Sequence, residues 1–115
     1  MDHKDLDLWK KSIDFVETIY AVTKSFPASE RYGLSNQLRR AAVSIPSNIS
    51  EGAARNSDKE FIQFLYIALG SLSETETQII IAARLKFIQT EEELLIDIKN
   101  LRKMTTGLIK YLKNK

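Results

Sequence analysis

An all-α fold, an up-and-down antiparallel four-helix bundle, is what the sequence predicts, and three observations predict it. Apolar residues recur at helical spacing in four segments, and no segment shows the period-two alternation of a half-buried strand. The joints between segments are short, which makes consecutive helices antiparallel neighbours. Helix punctuation falls at those joints: Phe26-Pro27 closes the first segment, and Ser57 with Glu60 and Thr90 with Glu93 have the spacing of capping boxes.

The first helix is expected from about Leu6 to Ser25. Its apolar side chains cover about half the wheel, wider than the stripe of somewhat over 100° that a bundle helix needs. Leu8, Phe15, Val22 and Phe26 lie on one edge, Trp9, Ile13 and Tyr20 on the other, with Val16 and Ile19 between. Two readings stand: a large-residue helix set deep in its own bundle, or one edge facing a second subunit, with Leu8, Phe15, Val22 and Phe26 as the interface. Ala28 to Gly33 reads as a connection with about one helical turn.

The second helix, about Leu34 to Ala54, organises the rest. Leu34, Leu38, Ala41, Ile45, Ile49 and Gly52 share one face at 100° per residue, and most are small enough for a neighbouring helix to approach closely. Beside that face run Gln37, Arg40, Ser44, Asn48, Glu51 and Arg55, hydrogen-bonding residues at a core border that need partners. Pro46 removes a hydrogen bond to the Ala42 carbonyl, so a proline-kinked helix is expected. The third helix, about Asp58 to Lys86, has Phe61, Leu65, Ala68, Leu69, Leu72, Ile79 and Ala83 as its core face. Glu76 projects from that face and calls for a cationic partner, Arg40 being the first candidate. The fourth helix, about Glu91 to Lys113, turns Leu94, Ile98, Leu101, Thr105, Leu108 and Leu112 inward. Acids open it and bases close it, as the helix macrodipole favours.

The run Phe26-Pro27, Glu30, Tyr32-Gly33-Leu34, Gln37-Leu38-Arg39-Arg40-Ala41-Ala42, Ser44-Ile45-Pro46, Asn48-Ile49, Glu51-Gly52 resembles the 23S ribosomal RNA intervening-sequence protein family. The likeness continues through Phe64-Leu65, Ala68-Leu69-Gly70-Ser71 and Glu74, and departs from the family pattern at Ser50, where many relatives carry alanine. The resemblance implies a four-helix bundle assembling as a ring of identical subunits, five in number. It brings no established biochemical activity. Related bundle proteins serve as accessory factors of diversity-generating retroelements, where a homopentameric ring binds nucleic acid. Those relatives are more basic than this chain.

At 115 residues, 43% hydrophobic and 28% charged, the chain fits one soluble domain over residues 1–115. It has no cysteine, and its single histidine is His3, in a terminal segment expected to be mobile. That leaves no Cys-His or Ser-His pair for a structured nucleophilic site and no Glu-x-x-His ligands for a di-metal bundle. Glu51, Glu74 and Glu76 sit near Arg39, Arg40 and Arg55, so ion pairing accounts for them better than a metal. The expectation is a protein that is not an enzyme, with no cofactor and no metal. The N-terminus has no apolar core of a signal peptide and no segment approaches a membrane span, so the expected location is the cytoplasm.

The net charge of +2 hides an asymmetry. Residues 98–115 hold six cations and no acid, a balance of +6, while the rest of the chain holds 11 cations and 15 acids, a balance of −4. Lys99, Arg102, Lys103, Lys110 and Lys113 fall within about 100° of the fourth helix's wheel, a basic face suited to phosphates, with Arg39, Arg84 and Lys86 as candidate extensions. Tyr111 is the single aromatic residue among these bases in sequence, and base stacking is not expected. Two functions follow as expectations: an RNA-associated oligomer using this face, or a protein-interaction scaffold without nucleic-acid affinity.

Overall fold

The computed structural model describes residues 2–115 and contains four long helices: α1 (Asp7–Thr23), α2 (Leu34–Ala53), α3 (Asp58–Arg84) and α4 (Glu91–Lys113). There is no strand among the described residues. α1 packs on α2, α2 on α3, α3 on α4, and α4 closes back on α1, while the backbones of diagonal helices stay apart among the described residues. The bundle is long and narrow, 46 × 23 × 20 Å. Helix bounds agree with the expected ones to within two residues, and α4 matches at both ends.

His3–Asp5 forms a short 3-10 turn ahead of α1 and is not a loose tail as expected. The Asp2 side chain accepts the Lys4 backbone N–H at 2.9 Å, which holds its carboxyl below the usual range. His3 lies edge-on to Trp9, ring centres 5.1 Å apart. A second 3-10 turn, Ala28–Glu30, lies in the expected connection. Glu30 Oε1 there accepts the Leu34 N–H at 3.1 Å, placing a carboxylate on the positive end of α2.

Pro46 is buried inside α2, and the helix continues past it to Ala53. The small face works as its composition requires. A Cβ added at Gly52 would lie 2.7 Å from Phe64 Cβ and 3.3 Å from the Phe61 carbonyl oxygen, so the α2 backbone passes against α3 with no room for a side chain.

Ser57 caps α3 by accepting the Glu60 N–H at 3.2 Å, as its spacing predicts. Thr90 makes no such bond to α4: at φ −108°, ψ 30° it is outside the extended conformation that aims a capping oxygen inward. α3 ends instead in a left-handed turn. Lys86 has φ 66°, its N–H donates to the Ala83 carbonyl, and the Phe87 N–H donates to that of Ala82. These paired bonds satisfy the last carbonyls of the helix.

One apolar cluster runs the length of the bundle, with Ile19, Leu38, Ile45, Ile49, Leu65, Leu72, Ile79 and Ile98 wholly buried. The α3 and α4 faces are rotated slightly from the expected ones. Leu69, Ala83 and Leu108 are half-buried, while Ala82 and Ile109 are buried. Buried hydroxyls are satisfied locally: Ser12, Thr23, Thr75 and Thr105 each donate to a carbonyl three or four residues earlier at 2.7–2.8 Å.

Candidate nucleic-acid interface

α4 ends in a basic half whose side chains cannot all be buried, so its apolar stripe faces the core and its cations face out. Lys99, Lys103, Lys110 and Lys113 are exposed along that outer face, as their spacing predicts. No carboxylate lies within ion-pairing distance of these four among the described residues. Arg102 belongs to the same arc but differs in its state. It is half-buried at the α3 rim, where Nη2 donates to Glu76 Oε1 at 3.0 Å and reaches Ser73 Oγ at 3.4 Å. Its charge is therefore largely spoken for.

That pair corrects the expected one between Glu76 and Arg40. Glu76 lies at the α3–α4 rim with a side chain 36% exposed, one register away from the face that meets α2. Arg40 is exposed on the other side of α3, beside Asn36, Gln37 and Glu74 in an open cleft between α2 and α3. The rest of the polar row on α2 is not one network but three local arrangements. The hydroxyls of Ser44 and Ser71 are hydrogen-bonded across the α2–α3 seam at 2.6 Å. Asn48 Nδ2 donates to the Ser44 carbonyl at 2.7 Å. Glu51 and Arg55 form an exposed pair at 3.4 Å, and the Arg55 guanidinium lies 4.8 Å from the Phe64 ring centre. Buried Gln78 donates to Glu74 at 3.4 Å while its own Oε1 has no partner among the described residues.

The expected subunit interface on α1 is also corrected. Leu8, Phe15 and Phe26 are 4%, 3% and 7% exposed, and all three belong to the chain's own core, with Val22 packed against it. The wide apolar arc of α1 is thus consumed internally on this edge. The opposite edge is the wetter one: Tyr20 is exposed, and half-buried Trp9 and Ile13 line a shallow groove with Val16, His3, Val43 and Ser47.

Of the candidate extensions, Arg39 serves α1 rather than α4. Its Nε donates to Thr23 Oγ1 at 2.7 Å and its Nη2 to the Tyr20 carbonyl at 3.3 Å, with the guanidinium 4.5 Å from the Tyr20 ring centre. Arg84 and Lys86 sit at the end of α3 that meets the start of α4, away from the basic half. What sequence reasoning missed is an aromatic on the neighbouring helix. Tyr66 of α3 lies against Lys113, whose Nζ is 2.9 Å from its hydroxyl, and beside Lys110. Its place in the α3 sequence, at the outer flank of Leu65 and Leu69, was the available signal; antiparallel pairing of α3 with α4 was the missing step.

No described helix is long and apolar enough to cross a membrane. Among the described residues no group of three or more acids and histidines is placed to hold a metal ion. A family model described as 23S rRNA-intervening sequence protein matches residues 4–107. The chain is similar in structure to a protein with unknown function from the S23 ribosomal protein family of Bacteroides thetaiotaomicron VPI-5482. That likeness has a TM-score of 0.82 at 28% identity, covering 90% of this chain and 98% of that one. None of the curated proteins compared with the chain matches it.

Proposed function

Because the chain belongs to the 23S rRNA-intervening sequence protein family, we propose that it is a non-enzymatic, cytoplasmic, oligomeric protein that binds RNA through the outer face of α4. The observation that carries the reading is the run of four exposed lysines, Lys99, Lys103, Lys110 and Lys113, on one rigid helix with no acid in pairing distance among the described residues. Such a row contacts phosphates and reads no sequence. Assembly with further copies is favoured by three exposed apolar side chains, Ile67 and Ile81 of α3 and Leu85 just past its end.

The test is binding of a mixed-sequence RNA, followed by fluorescence anisotropy at about 50 and about 200 mM salt. Affinity should fall steeply with salt, by a log–log slope of roughly −0.7 for each phosphate contacted on a single strand. Each Lys→Ala change among the four should remove about one such contact, whatever the base sequence. Wild-type protein that fails to bind at the lower salt would overturn the reading. The same apolar side chains favour a second one, a scaffold that assembles with itself and has no RNA affinity. Sedimentation that shows an oligomer alongside absent RNA binding would select it.

A further inference from the structure

The five basic positions of α4 are not equivalent, and the difference lies on α3. Toward the C-terminal end of α4 the two helices leave a cleft of about 300 Å³ between them, lined by Tyr66, Thr106, Ile109, Lys110, Lys113 and Asn114. No carboxylate lines it. Buried Ile109 gives it an apolar floor, Tyr66 an aromatic wall, and Lys110 and Lys113 a cationic rim. Elsewhere along the α3–α4 seam, cations facing α3 are neutralised: Arg102 by Glu76 at 3.0 Å and Lys115 by Asp58 at 3.5 Å.

The orientation of Tyr66 is held while its ring stays open. Lys113 Nζ is 2.9 Å from the hydroxyl and 5.4 Å from the ring centre. The ammonium therefore sits off the hydroxyl end of the side chain rather than above the ring, and leaves the ring's solvent-facing half uncovered. Tyr66 is 49% exposed, and its hydroxyl accepts a hydrogen bond from Lys113. An aromatic face beside two ammonium groups matches a nucleotide: the base stacks on the ring and the phosphates meet the rim.

We propose that this cleft is a nucleotide-stacking subsite for single-stranded RNA, with an unpaired base on Tyr66 and its flanking phosphates on Lys110 and Lys113. The inference rests on the RNA-binding reading above and deepens it, because a phosphate row alone would not distinguish single from double strands. Stacking requires an unpaired base and tolerates any base, so strand state rather than sequence is what the subsite senses.

The experiment compares a 12-mer single-stranded RNA with a duplex of the same length, binding to wild type, Tyr66→Ala, Tyr66→Phe and the double variant Lys110→Ala/Lys113→Ala. Tyr66→Ala should weaken single-strand binding on the order of tenfold, leave the salt slope unchanged and leave duplex binding unchanged. Tyr66→Phe, which keeps the ring and loses the hydroxyl, should retain most of the affinity, and the unchanged duplex binding of Tyr66→Ala shows that its loss on single strands is not misfolding. The double lysine variant should weaken both ligands and lower the salt slope. If Tyr66→Ala binds single strands as wild type does while the lysine variant is impaired, the stacking subsite is overturned and the phosphate face stands. Equal losses on duplex and single strand in Tyr66→Ala would also overturn it. A wild type that binds neither ligand removes the RNA reading itself.

Discussion

The two long seams of α3 are built on opposite plans. Toward α2 the seam carries small residues, Ala41, Ser44 and Gly52 on α2 and Ala68 and Ser71 on α3, and Gly52 lies so close to Phe61 and Phe64 that it has no space for a methyl group. Toward α4 the contacts are made at the ends of long side chains: Glu76 to Arg102, Tyr66 to Lys113, Asp58 to Lys115. Around Gly52 the α2–α3 seam leaves no room for anything between the two helices, and it opens into a cleft toward Arg40. Long side chains give a seam that holds the helices together and leaves a furnished cleft between them. One helix therefore packs by close backbone approach on one side and by the reach of long side chains on the other.

The sharpest way to break that contrast is a methyl group. Gly52→Ala places a Cβ 2.7 Å from Phe64 Cβ, and overpacking of this kind costs about 1–3 kcal/mol, more than the ~1 kcal/mol that alanine gains over glycine in a helix. A net loss of stability in urea unfolding is expected. Ser44→Ala, which leaves Ser71 without its cross-seam partner, should cost about 1 kcal/mol. On α4, where nothing lies within 4 Å of a Cβ added at Gly107, the same change as at Gly52 should have the opposite sign, a gain of up to about 1 kcal/mol. Gly52→Ala and Gly107→Ala moving the midpoint in the same direction would defeat the comparison. The smallest effect belongs to the Glu76–Arg102 pair, with both side chains about a third exposed; a double-mutant cycle should give a coupling of about 0.5 kcal/mol and no more than ~1. A coupling several times larger would mean that the α3–α4 rim is as dry as the α2–α3 seam.

What was legible in the sequence was whatever a single helix determines by itself. Periodicity placed four helices, the small face of α2 announced a close neighbour, and the exposure of Lys99, Lys103, Lys110 and Lys113 followed from the α4 wheel. What failed required the relative rotation of two helices. Glu76 was assigned to α2 because a wheel shows that a residue borders the core and not which neighbour lies beyond that border; the rotation of α3 gives it to Arg102. Tyr66 is 44 and 47 positions from Lys110 and Lys113, and only the antiparallel register brings them together. The breadth of the α1 arc had the same ambiguity. Leu8, Phe15 and Phe26 filled the chain's own core, which pattern alone could not separate from a subunit contact. Thr90 failed for a different reason, since a capping spacing specifies residue types and the backbone there adopts other angles.

The guanidinium of Arg39 has a consequence for how the molecule opens. α1 makes its sparsest helix contacts with α4, across a cleft lined by Lys11, Asp14, Thr18, Asp97 and Asn100, while Arg39 ties its last turn to α2 through Thr23 and the Tyr20 carbonyl. α1 is then a flap hinged along α2, and that side chain is its latch. In native-state hydrogen exchange, amides of α1 should exchange through a partial opening of lower free energy than the global unfolding that releases those of α2 and α3. Arg39→Ala should lower protection in α1 alone, and the species it populates is a three-helix remnant with the inner faces of α2 and α4 exposed to solvent.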